Sequence, residues 1–373
     1  MVRLKVSIRI VCLAALALAP FYLSDYHLSL LGRYLALAVL ALGLALIWGR
    51  AGILSLGQGV FFGLGGYALA MHLKLVSLGP GELPDFMQWS GLDHLPWWWH
   101  AFQRPGLAIV AMLLLPALAA AGLAWLLFHR RVGGVYFALI TQALALAFTT
   151  LLISQQPYTG GFNGLTGFTT FLGFSLLGAG VQRDLYWVTV VILTAAFLFS
   201  SWLFRTKFGK VLLAIRDGEN RVRFLGYNAV PYKVAAFALS GLFAGIAGGL
   251  FALQVGVISP AMLGVVPSIE MVVWVAVGGR ESLFGAVLGT LLVNLGKDWI
   301  SSAMPNLWLF GMGLLFILVV MVFPQGLCGL AEFWPRILLR FHHPIEPEQK
   351  GGSGLHVASA AYAKSCEEGR GAE

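Results

Sequence analysis

The most polar stretch between two apolar segments of this 373-residue chain is AIRDGENRVRFLGYN, residues 214–228. Asp217 can cap the start of a helix, Glu219 follows in its first turn, and Arg223 falls in its last turn, where a cation suits the helix dipole. Gly226 can adopt the left-handed conformation that ends a helix. The spacing predicts a capped helix of about two turns, whose charges suit binding to a soluble partner. A solvated loop whose arginines only set membrane topology is the alternative.

The same helix is predicted to be amphipathic. Ile215, Val222 and Leu225 fall near one face, whereas charged side chains crowd another. The apolar segment that follows repeats glycine every four residues from Gly241 to Gly249, a spacing that lets a helix pack closely against a neighbour. A surface helix joined to such a tightly packed segment can carry force from a partner into the membrane.

Two apolar segments carry polar side chains in their interiors. Ser55 and Gln58 are three residues apart, so they are predicted to share one helix face, and Thr141, Gln142 and Thr149 lie on another segment. An amide without a partner is costly in hydrocarbon, so these groups must face protein or water. They are interpreted either as hydrogen bonds between helices or as the lining of a solute path.

A glycine-rich stretch, TGGFNGLTGF, covers residues 159–168 and contains Asn163 and Thr166. Glycine lets the backbone turn sharply, and the two polar side chains can offer hydrogen bonds outside the membrane. A plain loop is one interpretation, and contact with a solute-delivering protein is the other. Both polar residues are candidates for the solute path.

Ionisable residues also lie near the ends of two predicted spans. Glu270 is one, and the neighbours Lys297 and Asp298 are the others. Mutual pairing, extension of the side chains towards the membrane surface, and a functional role all remain open for them.

The sequence predicts neither catalysis nor a cofactor. The phosphate-binding pattern that ends in Gly-Lys-Ser/Thr is missing, because Val211 follows Lys210 and Asp298 follows Lys297. Metalloprotease and serine-hydrolase motifs are also missing. The three cysteines lack metal-ligand or disulfide spacing, since they stand far apart at positions 12, 328 and 366. We therefore predict a non-enzymatic protein without a metal site.

The composition indicates that the chain lies in a lipid bilayer. It is 59% hydrophobic and only 11% charged, and it contains apolar runs long enough to cross a membrane. We predict an all-α polytopic membrane protein with about ten transmembrane or re-entrant helices. The eighth run is too short to span comfortably. The runs are 7–23, 30–48, 53–75, 106–128, 135–154, 185–204, 232–255, 268–279, 283–301 and 306–323.

The basic residues set the orientation. If both termini are cytoplasmic, most of the 24 lysines and arginines fall in segments on the cytoplasmic side of the membrane. The net charge of +8 therefore indicates membrane topology and not nucleic-acid binding. The first run also resembles a signal peptide, but we interpret it as a span. The predicted divisions are an N-terminal segment with the first span (1–29), a transmembrane domain (30–326) with an inside loop (205–232), and a largely disordered cytoplasmic tail (327–373).

The stretch GKVLLAIRDGENRVRFLGYN resembles the coupling loop of permease subunits in branched-chain amino acid and amide ABC importers. GRAGILSLGQGVFFGLGGY, TGGFNGLTGF and VWVAVGGRESLFGAVLGTLLVN extend the resemblance from about residue 30 to 326. In that family a Glu and a Gly seven residues later mark the surface that docks on the ATPase. The resemblance implies this docking role for Glu219 and Gly226, and it extends the role to Asp217 and Arg223 on the same helix. The resemblance also implies a bacterial inner-membrane location, a second permease, two ABC ATPase subunits and a periplasmic solute-binding protein.

The outside loop ELPDFMQW and the stretch ITQALALA are similar to the urea-transporting branch of that family. Amino acid permeases more often place a carboxylate near Gln142, and a neutral amide there suits urea or a similar small amide. A branched-chain amino acid permease is the alternative, and an ion-coupled secondary transporter is a more distant one. Arg280-Glu281-Ser282 departs from the small residues expected after Gly-Gly-Arg.

Overall fold

The protein is described by a computed structural model that covers residues 16, 18–79, 82–176, 178, 180–304, 308–322 and 326–328. Within these residues, eight helices are long and apolar enough to cross a membrane. The predicted all-α polytopic fold is confirmed. We call the end of the bundle that carries residues 207–224 the inner end, following the predicted orientation, and the opposite end the outer end.

The described α-helices are α1 (Asp25–Leu44), α2 (Gln58–Val76), α3 (Asp85–Trp89), α4 (Pro105–His129), α5 (Val135–Ser154), α6 (Gln156–Thr159), α7 (Val181–Arg205), α8 (Lys207–Phe224), α9 (Ala229–Val255), α10 (Val265–Gly278), α11 (Leu283–Ala303) and α12 (Trp308–Val322). A π-helical segment, Ala45–Arg50, continues α1. The strands are β1 (Leu165–Thr166), β2 (Thr170–Phe171), β3 (Phe174–Ser175) and β4 (Val257–Ile258). β1 pairs antiparallel with β4, and β2 pairs antiparallel with β3.

Helix α9 lies at the centre of the bundle and packs against α1, α2 and α4. A Cβ added at Gly245 would lie 2.6 Å from the carbonyl oxygen of Met112 and closer still to the ring of Pro116, both on α4. A Cβ added at Gly248 would collide with the carbonyl oxygen of Phe62 on α2. The predicted close packing at the glycine repeat is confirmed, because only a residue without a side chain lets these backbones approach so closely.

Residues 51–57 lie outside the two flanking helices and separate the α1 extension from α2. We call this segment the polar break. Gly52 has a positive φ of 69°, which ends the preceding helix, and α2 begins only at Gln58. The prediction that Ser55 and Gln58 share one helix face is therefore wrong, since Ser55 lies in the break. The predicted run 53–75 continued through residues 53–57 and gave no sign that α2 begins only at Gln58.

The predicted short eighth span corresponds to α10, which has 14 residues and follows a 3₁₀ turn at Pro260–Met262. α10 alone is about 21 Å long at 1.5 Å per residue. Together with the 3₁₀ turn it forms the 19-residue segment Pro260–Gly278, which is one of the eight long enough to cross a membrane, so the prediction that this run is too short is wrong. The predicted first span, 7–23, and the tail from 329 lie mainly outside the described residues. The proposed domain divisions remain predictions.

The glycine contacts of α9 generate a stability prediction. Gly245→Ala places a methyl group against Pro116 and Met112, and we expect this overpacking to destabilise the protein by about 1–3 kcal/mol. Gly122→Ala is the matched control, because a Cβ at that helical position meets nothing within 4 Å. Thermal unfolding in detergent checks both variants. An unfolding midpoint for Gly245→Ala equal to that of Gly122→Ala would show that the α4–α9 contact is not tight.

Candidate functional site

The N-cap of helix α8 lies eleven residues before the predicted one. Thr206 is its N-cap and accepts a hydrogen bond from the Gly209 backbone N–H, so the assignment of the cap to Asp217 is wrong. The helix kinks at Gly218, whose φ of −178° and ψ of 81° are not helical. The prediction covered only the part after the kink. Its end is confirmed, because Gly226 has a φ of 85°.

Glu219 ties α8 to α9. Its Oε1 accepts from Arg223 Nη2 at 2.7 Å, and its Oε2 accepts from Lys233 Nζ. Burial alone would raise the pKa of the Glu219 carboxyl, but the hydrogen bonds and charges of Lys233 and Arg223 outweigh burial and hold that pKa below its usual value. The pair is therefore intact at neutral pH. Its stabilising contribution is lost only as the pH falls through the lowered pKa.

Arg216 connects α8 to two other elements. Its Nη1 donates to the Gly49 carbonyl oxygen at 2.6 Å and to Glu281 Oε1 at 2.9 Å, and its Nε donates to Asp217 Oδ1 at 3.1 Å. The stem of the same side chain lies over Gly52, where an added Cβ would be 2.8 Å from Arg216 Cγ. One side chain thus joins α8 to the π-helical segment just before the polar break and to the turn between α10 and α11.

An inner cavity of about 250 Å³ lies beneath these contacts. Its walls include residues 51–54 of the break, the α4–α5 turn at Gly133 and Gly134, and the side chains of Arg216, Glu219 and Lys233. A displacement of α8 would therefore change the wall of a cavity that also contains the break. In this arrangement α8 and the polar break line the same cavity.

Side chains from other helices satisfy the backbone around the polar break. Thr141 Oγ1 on α5 accepts from the Leu56 N–H at 3.1 Å, and Ser268 Oγ on α10 accepts from the Gly59 N–H at 3.2 Å. Ser55 is fully buried and its Oγ accepts from the Gly57 N–H at 3.4 Å. The amide of Gln58 is 1% exposed, and neither its oxygen nor its nitrogen has a partner among the described residues.

Comparison with known proteins places the chain in a family. Residues 26–322 match the family described as "Branched-chain amino acid transport system / permease component". The chain belongs to this permease family. It is a transport component and a multi-pass membrane protein. No solved structure matches the chain.

Curated relatives include two permeases named LivM of high-affinity branched-chain amino acid transport systems, from Salmonella typhimurium and Escherichia coli. Each is 26% identical over 366 residues, which cover 90% of this chain and 77% of the relative. BraD, a permease of the same description from Pseudomonas aeruginosa, is 22% identical over 79% of this chain and 92% of its own length.

The predicted solute-path residues of this permease do not form one cluster. Ser55 and Gln58 are buried at the polar break, whereas Gln142 is half-buried on α5 beside its exposed face. Asn163 and Thr166 are exposed at the outer end, where β1 pairs with β4. Gly160, Gly161, Gly164 and Gly167 all have positive φ, which confirms the predicted sharp turns.

The predicted coupling residues of the permease separate into two groups. Glu219 and Arg223 pair with each other, and Asp217 is exposed and paired with Arg216. Gly226 is exposed, and a Cβ added there would meet nothing within 4 Å. Among the described residues, no group of three His, Cys, Asp or Glu side chains is placed to hold a metal ion.

Sequence reasoning missed Arg216 as a site residue and misplaced Leu225. The partners of Arg216 lie 167 and 65 residues away in the chain, so no local pattern could reveal them. Leu225 was predicted on the buried face with Ile215 and Val222, but it is 77% exposed. Leu225 is the C-cap, one residue past the end of α8 at Phe224, so it leaves the helical face that buries Ile215 and Val222.

The hydrogen bond from Leu56 to Thr141 generates the prediction for this site. Thr141→Val keeps the side-chain shape but leaves the Leu56 N–H without its acceptor, and we expect a destabilisation of about 1–3 kcal/mol. Thr150→Val on the same helix is the control, since the Thr150 hydroxyl donates only to the Leu146 carbonyl oxygen of its own helix. Thermal unfolding of the two purified variants measures the difference. Equal midpoints would show that Thr141 does not hold the break.

Proposed function

We propose that this chain is a permease subunit of an ATP-driven importer in a bacterial inner membrane. It works with a second related permease, two ABC ATPase subunits and a periplasmic solute-binding protein. The observation that carries this proposal is the hydrogen-bonded network of α8, which connects an exposed helix at the inner end with three elements of the bundle. Family membership supports the transport role.

The energy for transport is proposed to come from a partner. The sequence Gly209-Lys210-Val211 lacks the hydroxyl residue of a phosphate-binding loop, and it lies within the first turns of α8 and not between a strand and a helix. A chain of this kind needs a separate subunit that hydrolyses ATP. We therefore infer that α8 receives a movement and does not generate it.

The outer surface of α8 is suited to a soluble partner. Phe224 is 90% exposed beside the exposed Leu225 and Tyr227, and the polar residues Asp217 and Asn220 are exposed nearby. Large exposed apolar side chains rimmed by polar groups are typical of protein–protein contacts. We propose that this surface docks on the ATPase, while Arg216 and Glu219 on the inward side pass the movement to the break and to α9.

The second permease is proposed to cover part of the exposed surfaces of α4, α5 and α7. These three helices are largely exposed, whereas α1 and α2 are largely buried. Gln142 lies beside the exposed stripe of α5 that includes Leu139 and Leu146. An amide facing lipid would be costly, so we propose that Gln142 borders the solute path or the partner permease.

A branched-chain amino acid is the solute that we propose first. The family description and the names of the LivM and BraD relatives support it. Urea or a similar small amide is the second candidate, supported by the neutral Gln142 and by the resemblance of the ELPDFMQW loop to urea permeases. An ion-coupled secondary transporter is the least supported, because the chain belongs to a family of transport-system permease components.

Reconstitution with the co-encoded ATPases and binding protein tests the coupling role of α8. We expect Lys233→Gln to lower ATP-dependent uptake about tenfold, which corresponds to roughly 1.4 kcal/mol, because it removes the link between Glu219 and α9. The exchange Glu219→Lys with Lys233→Glu should restore part of the activity by reversing the ion pair. Lys207→Gln, an exposed lysine in the first turn of α8, is the control. Normal uptake by Lys233→Gln at normal assembly would contradict the coupling role.

The solute path is tested separately with Gln142→Leu. We expect this variant to assemble normally, because among the described residues Gln142 makes no hydrogen bond to another helix. We expect it to import leucine and urea at reduced rates wherever the wild type imports them. Gln103→Leu on the outer surface is the matched control. Failure of the Gln142 variant to assemble would instead assign this residue a structural role between helices.

A further inference from the structure

A second cavity, of about 260 Å³, lies at the outer end among α1, α2, α9, α10 and α11. We call it the outer cavity. It is separate from the inner cavity at α8 and from the polar break. Pockets that hold drug-sized ligands measure about 300–1,000 Å³, so this volume suits a smaller solute.

The outer cavity contains equal numbers of cationic and anionic side chains. Arg33 pairs with Asp298 at 2.6 Å, and Lys297 pairs with Glu270 at 2.7 Å. The mutual pairing left open from the sequence is thus confirmed, although neither pair joins the neighbours Lys297 and Asp298. A single anion or cation would unbalance these charges, whereas a ligand with one charge of each sign would not.

The two ion pairs differ in how firmly they are held. Glu270 is 8% exposed at its side chain and also accepts from Trp308 Nε1 at 3.2 Å, so its pair with Lys297 is a fixed part of the wall. Arg33 and Asp298 are about one-third exposed, at 31% and 34%. Breaking an exposed ion pair of this kind costs little free energy. This pair is therefore the part of the cavity that can rearrange to bind a ligand.

The ion pair of Arg33 and Asp298 has donor and acceptor groups that its contacts within the protein do not use. Arg33 bonds Asp298 through Nη2, and both Arg33 and Tyr34 donate to Oδ2 of Asp298. The other edge of the guanidinium can therefore receive a carboxylate, and Oδ1 of Asp298 can accept from an ammonium group. Trp274 also lines the cavity; it is 3% exposed, and its indole N–H has no partner among the described residues.

Apart from Asn294, the remaining wall is apolar. Leu37, Phe62, Phe251 and Met271 line it, and Phe62 and Phe251 form an edge-to-face pair with ring centroids 5.4 Å apart. An apolar wall next to balanced charges is complementary to a molecule with a hydrocarbon side chain and a zwitterionic head. Urea has neither separated charges nor an apolar group, so it would leave both parts of the cavity unmatched.

We propose that the outer cavity binds a zwitterionic α-amino acid with an apolar side chain, with the carboxylate on Arg33 and the ammonium on Asp298. The proposal rests on the proposed function as an importer and specifies its solute class. It places a solute contact on the permease itself, at the end where solute enters.

Binding of radiolabelled L-leucine to the purified full-length chain in lipid nanodiscs, without ATPase or binding protein, tests the proposal. Leucine is expected to bind saturably. 4-Methylpentanoate and isoamylamine, which each carry only one of its two charges, are expected to compete at least about tenfold more weakly, and urea is expected not to compete. Equal competition by leucine and 4-methylpentanoate would overturn the zwitterion assignment in favour of a simple anion site.

Matched variants locate the site. Asp298→Asn is expected to weaken leucine binding at least about tenfold, because the ammonium loses its anion while the side-chain shape is kept. Trp274→Phe removes the indole N–H in the cavity and is expected to weaken binding, whereas Trp99→Phe removes another buried N–H without a described partner outside the cavity and is expected to have no effect. Unchanged binding by Asp298→Asn, in protein with the wild-type unfolding midpoint, would overturn the proposal.

Uptake by the reconstituted importer separates this proposal from the proposed function. If the complex imports leucine but the folded permease in nanodiscs shows no saturable leucine binding, the outer-cavity proposal is overturned and the importer assignment stands. If the permease binds leucine as described but the complete complex imports no solute, the importer assignment is overturned and the cavity assignment stands.

Discussion

In a non-helical segment inside a bilayer, each backbone N–H and C=O group must find its hydrogen-bond partner within the protein, because hydrocarbon offers none. The polar break meets this constraint through Thr141 on α5 and Ser268 on α10. The non-helical residues after α9 meet part of it through the pairing of β4 with β1. The positions of α5 and α10 therefore follow from the need to support irregular backbone, and so does the burial of polar side chains that look out of place in an apolar sequence.

Several ion pairs of the described bundle lie at its two ends. Arg216 and Glu219 make the inner contacts, and Arg33 and Lys297 make the outer ones. Between these ends, α9 packs through glycine against α2 and α4, which leaves little freedom for independent helix movement. Under the proposed function, a displacement of α8 would be passed to α9 and to the break together, through the contacts of Glu219 and Arg216.

The sequence predicted features that depend on local pattern. Long apolar runs identified the helices, and the glycine repeat predicted the close contact of α9. The helix end at Gly226 was predictable because a left-handed residue is a local requirement. Three features could not be predicted from the sequence. They are the N-cap of α8 at Thr206, the break before Gln58 and the partners of Arg216. Each depends on contacts between residues distant in the chain, and side-chain hydrogen bonds from other helices leave no periodic signal.

The central claim is that Arg216 passes the movement of α8 to the polar break and to the α10–α11 turn. The most direct measurement is the number of solute molecules imported per ATP hydrolysed by the reconstituted complex carrying Arg216→Gln, compared with the wild type. The variant loses the contacts to Gly49 and Glu281 while the ion pairs of Glu219 remain. The account predicts that the complex still assembles and hydrolyses ATP but imports much less solute per ATP. An unchanged ratio would contradict it.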